Sequence, residues 1–385
     1  MTEWKIYKIG DICKRVCSGG TPKSTEPTYY DGDIPWLNTK EINFNRIYST
    51  ERCITQKGLD NSSAKWIDAN CVIVAMYGAT AAKVAINKIP LTTNQACCNL
   101  SIDEKIADYH YVYYWLCANY TELASLANGG AQQNLNAQQI KDFEISLPPL
   151  EEQRRIAGIL GAIDDKIENN RRINTNLELQ AQALFDEWFV ANPSHLGAYS
   201  KAYLTDIANY LNGLAMQRFR PLEGELGIPV LKIKELGQGQ CDSSSDLCSP
   251  SIEEKYIVRD GDIIFSWSGT LLVDIWCGGV CGLNQHLFKI TSGKYPQWFI
   301  YYWTKHHLAK FIRIAKDKAV TMGHIKRGDL EASEVLIPDE KSFAEIDKIM
   351  SPIFKAIVAN RIGNRQLATL RDTLLPKLMN NEISL

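Results

Sequence analysis

The sequence predicts an α+β protein in which two similar mixed α/β domains are separated by a pair of long antiparallel coiled-coil helices, with a pseudo-twofold internal repeat. The repeat is visible without gaps, because residues 19–42 recur as residues 213–236, and Asn94-Gln95 recurs 190 residues later as Asn284-Gln285. A period of nearly half the chain indicates two copies of one domain and not a short-period solenoid. A heptad pattern follows each copy and predicts the two helices.

The two domain copies are assigned to residues 1–149 and 193–338. Runs of β-branched and apolar residues predict strands at 71–76 in the first copy and at 262–267 in the second. Short helices are predicted at 108–119 and 298–307. These patterns indicate a mixed α/β domain, but they do not determine the order of strands in its sheets.

The two long helices are assigned to residues 150–192 and 339–385. Apolar residues and one asparagine recur every seven positions in each, which is the signature of a helix packed along another helix. The predicted seam consists of Ile156, Ile163, Asn170, Leu177 and Leu184 in the first helix, and of Ile346, Ile353, Asn360, Leu367 and Leu374 in the second. Supporting positions include Ile159, Ile173 and Ile349. A buried asparagine in such a seam disfavours slipped registers.

Local signals predict the helix ends and one irregularity. Ser342 with Glu345 has the spacing of a capping box, and Asn192-Pro193 should end the first helix. Pro352 should kink or restart the second helix. Since the first helix leads to the second domain and the second should return toward the first, we expect an antiparallel pair about 50 Å long.

Composition is that of an ordinary globular protein. The 385 residues are 45% hydrophobic and 22% charged, with a formal net charge of −2. No apolar run is long enough to cross a membrane and the first residues lack a secretory pattern, so we expect a cytoplasmic protein without membrane contact. The eleven cysteines have no metal-ligand spacing and are expected to fill the core as thiols.

No catalytic constellation is recognised. The sequence has no GxxxxGK[ST] loop, no HExxH, and no Asn-Pro-Pro-aromatic or Asp-Pro-Pro-aromatic motif of an amino-methyltransferase. Residues 338–341 resemble a nuclease carboxylate and lysine cluster, but they align with residues 148–151 at the junction between domain and helix. We therefore assign no catalytic residue and no metal site.

Polar, aromatic and basic residues concentrate instead in loops at matching positions of the two copies. Amide side chains can pair with adenine, and arginine or lysine can reach guanine or phosphate, so these loops are candidates for DNA contacts. In the first copy they supply Thr21, Pro22, Lys23, Tyr77, Gly78, Ala79, Thr80, Lys83, Asn94, Gln95, Gln132, Gln133 and Asn134. In the second copy they supply Gln217, Arg218, Arg220, Ser266, Trp267, Ser268, Gly269, Thr270, Asn284, Gln285, His286, Lys316, Lys318, Thr321 and His324.

The chain resembles the DNA-specificity subunit of type I restriction–modification systems over its whole length. The resemblance is carried by the junction at residues 145–156, the Ser18-Gly19-Gly20-Thr21-Pro22 loop, Ile34-Pro35-Trp36-Leu37, and Thr93-Asn94-Gln95-Ala96. It implies a noncatalytic subunit whose two target-recognition domains each read one half of a bipartite asymmetric double-stranded DNA sequence. The helices would set the spacer and dock two modification subunits.

The same resemblance implies which molecules assist this chain. The modification subunits would methylate adenine with S-adenosylmethionine, and two restriction subunits in the full complex would use ATP and Mg²⁺. No cofactor is expected in the chain itself. Two alternatives stay open at this point: a two-headed noncatalytic scaffold for protein interactions, and a standalone DNA methyltransferase or nuclease.

Overall fold

The chain divides into two compact units. The computed structural model describes residues 4–127, 134–317 and 323–383. The first unit comprises residues 1–165 and 369–385, and the second comprises residues 166–368. Each unit contains one α/β body together with stretches of both long helices. The body at residues 5–147 is called the first head, and the body at residues 199–338 is called the second head.

The first head is built mainly from short strands. Its strands are β1 (Lys5–Lys8), β2 (Cys13–Ser18), β3 (Tyr30–Leu37), β4 (Asn45–Ile47), β5 (Arg52–Ile54), β6 (Trp66–Ile67), β7 (Val72–Ala75), β8 (Val84–Asn87), β9 (Leu91–Thr93), β10 (Cys97–Ile102) and β11 (Glu144–Leu147). Its helices are α1 (Gln56–Asp60), α2 (Tyr109–Ala118), α3 (Tyr120–Ser125) and α4 (Ala137–Asp142), and α5 (Leu150–Phe185) follows it.

These strands form three sheets. One has the order β2-β10-β7-β8-β4, a second has the order β5-β3-β9-β6, and β1 pairs with β11. Most pairs are antiparallel, but β3 pairs with β9 and β4 pairs with β8 in parallel. The fold of the head is therefore mixed, as the strand pattern predicted.

The second head repeats this arrangement. Its strands are β12 (Tyr199–Tyr203), β13 (Asn209–Asn212), β14 (Ile228–Leu231), β15 (Leu247–Cys248), β16 (Ile257–Val258), β17 (Ile263–Ser266), β18 (Leu272–Ile275), β19 (Cys281–Leu283), β20 (Leu287–Thr291) and β21 (Glu334–Pro338). Its helices are α6 (Leu204–Ile207), α7 (Ile233–Gln238), α8 (Gln297–Asp317) and α9 (Arg327–Glu331), and α10 (Glu340–Met379) follows it.

The sheets of the second head have the orders β13-β20-β17-β18 and β15-β14-β19-β16, and β12 pairs with β21. The parallel pair β14–β19 is the counterpart of β3–β9, and Val230 pairs with Gly282 where Trp36 pairs with Thr92. The two copies thus share one frame, which confirms the predicted internal repeat.

One aromatic-rich helix packs against the central sheet of each head. In the first head, α2 begins after Asp108, whose carboxylate accepts the backbone N–H groups of His110 and Tyr111. Its counterpart α8 is longer than predicted and continues to Asp317. The extension forms because Leu308, Phe311 and Ala315 continue the apolar face and pack in the core.

The two long helices form as predicted, with two corrections near the start of α10. The helix begins at Glu340, and its cap is Asp339, whose Oδ1 accepts the backbone N–H of Ser342 (3.0 Å). The predicted Ser342 capping box is therefore wrong, because Glu345 pairs instead with Lys348. The carboxylate of Asp339 sits at the N-terminus of the helix, where accepting backbone N–H groups lowers its pKa.

Pro352 does not restart α10, which continues through it to Met379. The proline lies on the exposed face of the helix. Lys348, whose carbonyl loses its usual N–H partner, is exposed as well. Because water can satisfy that carbonyl, the helix continues at a smaller cost than in a buried segment.

The seam positions face inward in both helices. The ten predicted seam residues are all buried or half-buried. Three supporting positions are not, since Ile159, Ile173 and Ile349 are exposed. These three residues were assigned to the stripe because they are apolar, but the structure places them on its outer side.

Paired asparagines connect the helices within the second unit. Asn170 donates to Oδ1 of Asn364 (2.8 Å), and Asn360 donates to Oδ1 of Asn174 (2.9 Å). Positions 170 and 360 are equivalent in the repeat, as are 174 and 364, so the pseudo-twofold exchanges the two hydrogen bonds. Residue numbers rise along one helix as they fall along the other, and the pair is therefore antiparallel.

Ion pairs connect each head to the helix stretches of its own unit. In the second unit, Arg365 forms a bidentate pair with Asp260 (2.6 and 2.7 Å), and Arg361 contacts Asp274 and Glu178. Burial alone would lower the pKa of Arg361, but the two carboxylates raise it overall. In the first unit, Arg46 of the head pairs with Asp165 of α5. In the same unit Arg371 of α10 pairs with Asp164 of α5 (2.8 Å), which joins the two helices. Within the described ranges, no helix is both long and apolar enough to cross a bilayer.

We expect the asparagine pairs to be energetically coupled. Replacing Asn170 or Asn364 by Ala should in each case lower the free energy of unfolding by about 1–3 kcal/mol, because the remaining carboxamide, half-buried at Asn364 or buried at Asn170, loses its partner. The double variant should lose about 1 kcal/mol less than the sum. Urea unfolding of the four proteins measures this coupling. Asn176→Ala, at an exposed position of the same helix, is the control, and strictly additive losses would contradict the hydrogen bond.

Candidate nucleic-acid interface

Two polar loops of the first head meet beside the end of β7. Tyr77 follows this strand with its ring 44% exposed, and the turn continues as a 3₁₀ segment at Gly78–Thr80. Gly78 has a φ of +69°, which favours glycine over other residues. Tyr77 forms an isolated β-bridge with Asn134. The structure therefore brings the predicted Tyr77, Gly78, Ala79 and Thr80 next to the predicted Asn134.

Four further predicted residues of this head have polar side chains at or near the surface. Lys83 donates from Nζ to Oδ1 of Asn43 (2.8 Å), and Thr21 hydrogen-bonds Gln95. Lys23 is exposed in the loop that follows Thr21. Asn43 was not predicted, and it is the residue that orients the Lys83 ammonium group. Nothing in the repeat identifies it.

Two predicted residues of the first head are buried and form hydrogen bonds within the protein. Asn94 is 7% exposed, and its carboxamide oxygen accepts the backbone N–H of Ala96 (3.1 Å). Pro22 is buried, and its carbonyl accepts the hydroxyl of Tyr30 (2.6 Å). These contacts show that both groups shape the loops that contain them, and their contact with bases stays a prediction.

Trp267 occupies the place of Tyr77 in the second head, but it turns inward. Its ring stacks on Phe288 with 5.7 Å between centroids, and its indole N–H donates to Oδ1 of Asn212 (3.0 Å). His324 meets its edge at 6.3 Å. Trp267 also lines a cavity of about 530 Å³ with Tyr210 and other residues. The indole N–H therefore bonds to Asn212, and the ring packs against the aromatic rings of Phe288 and His324.

The loops around Trp267 are joined as they are around Tyr77. Ser268 bridges to His324, and the N–H of Gly269 donates to the carbonyl of Gly323 (3.0 Å). The hydroxyl of Ser268 lies 3.0 Å from Nδ1 of His286. The predicted Gly269, His286 and His324 therefore lie close together, and the buried Ser268 connects them. Thr270 is exposed at the end of this turn.

The side chains of Ser266 and Asn284 are buried and bonded within their own loops, and Gln285 has a buried oxygen without a partner in the described part of the chain. Ser266 is fully buried and donates to the carbonyl of Thr270 (2.7 Å), while Oδ1 of buried Asn284 accepts the N–H of His286 (3.2 Å). Both groups bond within their own loops, as Asn94 does, and their contact with bases stays a prediction. Among the described residues, Oε1 of Gln285 is a buried oxygen without a hydrogen-bond partner. A buried acceptor without a partner is rare in folded proteins.

A second group lies around a cavity of about 340 Å³ in the second head. Gln217, Arg220 and Asn284 line it together with Lys232, which pairs with Asp246. Arg218 is exposed at the end of the 3₁₀ segment Met216–Arg218. Lys232 was not predicted. It aligns with Asn38 of the first copy, so the repeat gave no signal of a basic residue.

The remaining predicted residues are placed as follows. Lys316 is exposed near the end of α8. Gln132, Gln133, Lys318 and Thr321 lie outside the described residues.

A glycine in each head allows two candidate loops to approach each other closely. A Cβ on Gly19 would lie 2.0 Å from the carbonyl oxygen of Thr93, and one on Gly213 would lie 2.2 Å from that of Asn284. Contacts this short do not occur for real Cβ atoms. The two glycines therefore hold the loop at residues 19–23, and its counterpart after residue 213, against the loops that contain Asn94 and Asn284.

Burial shifts the pKa values of several groups that lie away from the candidate loops. Burial raises the pKa of the Cys98 thiol to about 12, and all eleven cysteines are free. Burial lowers the pKa of His307 to about 4, and its Nε2–H donates to the carbonyl of Glu334 (2.9 Å). Within the described ranges, no group of His, Cys, Asp and Glu is arranged to hold a metal ion.

Comparisons with known proteins give one consistent result. A family model described as "Type I restriction modification DNA specificity domain" matches residues 1–179. The chain is 29% identical to the type I restriction enzyme MjaIX specificity subunit of Methanocaldococcus jannaschii, over 99% of this chain and 94% of that protein. It is 23% identical to the EcoKI specificity subunit of Escherichia coli K12, over 99% and 89%.

The fold is also similar to a solved structure. The crystal structure of a type I restriction–modification system S subunit from M. genitalium aligns with a TM-score of 0.62 at 17% identity, covering 98% of this chain and 96% of that one. This similarity supports the two-headed fold with its long helices, independently of the sequence matches.

We expect Gly213→Ala to distort the loop after residue 213 and the loop that contains Asn284 in the second head. The added Cβ collides with backbone, so we expect the free energy of unfolding to fall by about 1–3 kcal/mol. Gly237→Ala is the matched control, because nothing lies within 4 Å of its Cβ and it is in helix α7, where alanine stabilises. Thermal unfolding compares the two. Equal stability of both variants would show that the close approach is absent.

Proposed function

Because the chain belongs to the family of type I restriction–modification specificity subunits, we propose that each of its heads reads one half of a bipartite asymmetric DNA target. As a specificity subunit it is noncatalytic, and the catalytic activity lies in partner subunits. In this proposal residues 1–149 and 193–338 are the recognition domains. Residues 150–192 and 339–385 are the spacer helices.

The observation that carries the proposal is a common frame with different loop tips. The turn at Tyr77 and the turn at Trp267 follow equivalent strands, and each bridges to a second loop, at Asn134 and at His324. The side chains on these loops differ, while the strand pairing beneath them is shared. Two heads that share one fold but present different loop side chains suit a target with two different halves.

The exposed side chains have the chemistry needed for DNA. Gln95 and Asn134 can pair with adenine, Arg218 and Arg220 can pair with guanine or phosphate, and Lys83 can neutralise a phosphate. The net charge of −2 is low for a protein that covers DNA alone. Partner subunits that share the contact with DNA would supply the remaining positive charge.

The partners are proposed to dock on the long helices. Large apolar side chains are exposed there, namely Ile159, Ile173, Leu179, Val190, Ile349 and Leu370. Apolar side chains exposed along a helix pair are typical of a protein interface. We assign this surface to two modification subunits that methylate adenine with S-adenosylmethionine. Restriction subunits, which use ATP and Mg²⁺, join them in the full complex.

We expect variants of one head to relax only one half of the target. Tyr77→Ala and Lys83→Ala should weaken methylation through the half-site read by the first head, while the bases required in the other half stay unchanged. Loss of one phosphate contact at Lys83 should also reduce the salt dependence of DNA binding by about one ion. Methylation of a randomised target library by the assembled complex measures both halves at once.

Lys105→Ala is the control for charge, because Lys105 is exposed in the same head outside the candidate loops. Its target preference should equal that of the unmodified chain. If Tyr77→Ala relaxed both halves equally in a folded complex, the assignment of one head to one half-site would be wrong.

We expect the length of the helix pair to set the spacer between the half-sites. Inserting four residues at paired positions of α5 and α10 adds about 6 Å, which is close to two base pairs of duplex. The preferred spacer should lengthen by about two base pairs while the half-site sequences stay the same. Methylation of targets with graded spacers measures this. An unchanged spacer preference in a stable variant would contradict the spacer role.

A further inference from the structure

The second head carries a group of apolar side chains that its own core does not use. Leu222 is 76% exposed and Leu226 is 92% exposed, and Phe219 and Leu247 are also exposed. These four residues belong to one region, because a Cβ on Gly227 would lie 2.6 Å from Pro221 and 3.0 Å from Leu247. We call Phe219, Leu222, Leu226 and Leu247 the leucine turn. Exposed apolar groups of this kind mark a contact with a partner.

The leucine turn is held in shape by a carboxylate. Oε2 of Glu225 accepts the backbone N–H of Leu222 (3.0 Å), and Oε1 accepts the hydroxyls of Ser249 (2.9 Å) and Ser251 (3.1 Å). The N–H of Glu225 donates to the carbonyl of Leu222 (3.0 Å), and Gly224 has a φ of +81°. The leucines are therefore presented by a fixed turn and not by a loop without internal bonds.

The first head has no such group at the equivalent positions. The gap-free repeat aligns Phe219 with Thr25, Leu222 with Thr28 and Leu226 with Gly32. Strand pairing gives the fourth equivalence, because Leu247 pairs with Pro229 where Cys53 pairs with Pro35. The leucine turn is thus a difference between two heads that otherwise share a frame.

This asymmetry indicates the kind of partner, on the basis of the proposed function. Two copies of one modification subunit would present the same surface to both heads, and a contact with them would be expected in both. The two halves of an asymmetric DNA target differ, so a group found in one head suits the DNA. The leucine turn also adjoins candidate DNA-contacting residues, because Arg220 and Leu247 line the same cavity as Gln217 and Asn284.

In the major groove of DNA, the only apolar feature of the base edges is the C5-methyl group of thymine. We propose that Leu222 and Leu226 contact thymine methyl groups in the half-site read by the second head, flanked by Arg218 and Arg220 on phosphate or guanine. That half-site then contains at least one thymine on one of its strands. The carboxylate of Glu225 is occupied by its three donors, and it serves to hold the turn.

The test removes the methyl group from the DNA and the leucines from the protein. In the assembled complex, replacing a contacted thymine by uracil should weaken binding of the unmodified chain about fourfold per methyl group. The double variant Leu222→Ser/Leu226→Ser should bind the thymine target more weakly and should be insensitive to uracil in this half-site. Uracil in the other half-site should affect both proteins equally.

Val280→Ser is the matched control, because Val280 is a 46% exposed apolar residue of the same head outside the leucine turn. It should keep the full sensitivity to uracil. Equal uracil effects in the unmodified chain and the leucine variant would overturn the inference, as would a half-site without an A·T pair. Loss of modification-subunit binding without any uracil coupling would assign the turn to a protein partner. If binding were indifferent to the whole half-site sequence, the proposed function itself would fail.

Discussion

The reciprocal carboxamide bonds between α5 and α10 fix the register on which the rest of the molecule depends. A leucine and isoleucine seam is compatible with shifts of a whole heptad, because one apolar residue replaces another. Asn170 with Asn364, and Asn174 with Asn360, can bond at one register only. A shifted pair would bury unpaired amides at about 1–3 kcal/mol each. Since β11 and β21 lead directly into the helices, this register also determines which helix residues each head can meet.

The heads separate the groups that build the frame from the groups at the loop tips. Gly19 and Gly213 make the same close approach to the backbone in both copies, and the parallel pairs β3–β9 and β14–β19 have matching registers. The loops after β7 and β17 carry different side chains on this shared support. Under the proposed function, a change at a loop tip alters recognition at little cost in stability, whereas a change in the glycine contacts affects both recognition and stability.

Local patterns in the sequence allowed part of this structure to be predicted. The heptads predicted both long helices, and the gap-free repeat predicted two related heads. The parallel pairing of β3 with β9 could not be predicted, because it joins segments far apart in the chain. The hydrogen bonds of Asn94 and Asn284 to their own turns could not be predicted either, because composition does not distinguish such an amide from one that faces out. The exposure of Leu222 and Leu226 could not be predicted from the sequence, because leucine usually indicates a core position.

The ion pairs between heads and helices have opposite polarity in the two units, and this opposes incorrect docking of a head. In the first unit Arg46 of the head pairs with Asp165 of α5, whereas in the second unit Arg361 and Arg365 of α10 pair with carboxylates of the head. The α10 position equivalent to Asp165 is Lys355, so the first head docked there would oppose two cations. The second head docked on α5 would find Thr175 in place of Arg365. Electrostatic mismatch of this kind selects one pairing over its alternative. Each head is therefore matched in charge to the helix stretches of its own unit, although Arg171, the α5 equivalent of Arg361, keeps its positive charge. This matching adds to the constraint of the short connections from β11 to α5 and from β21 to α10.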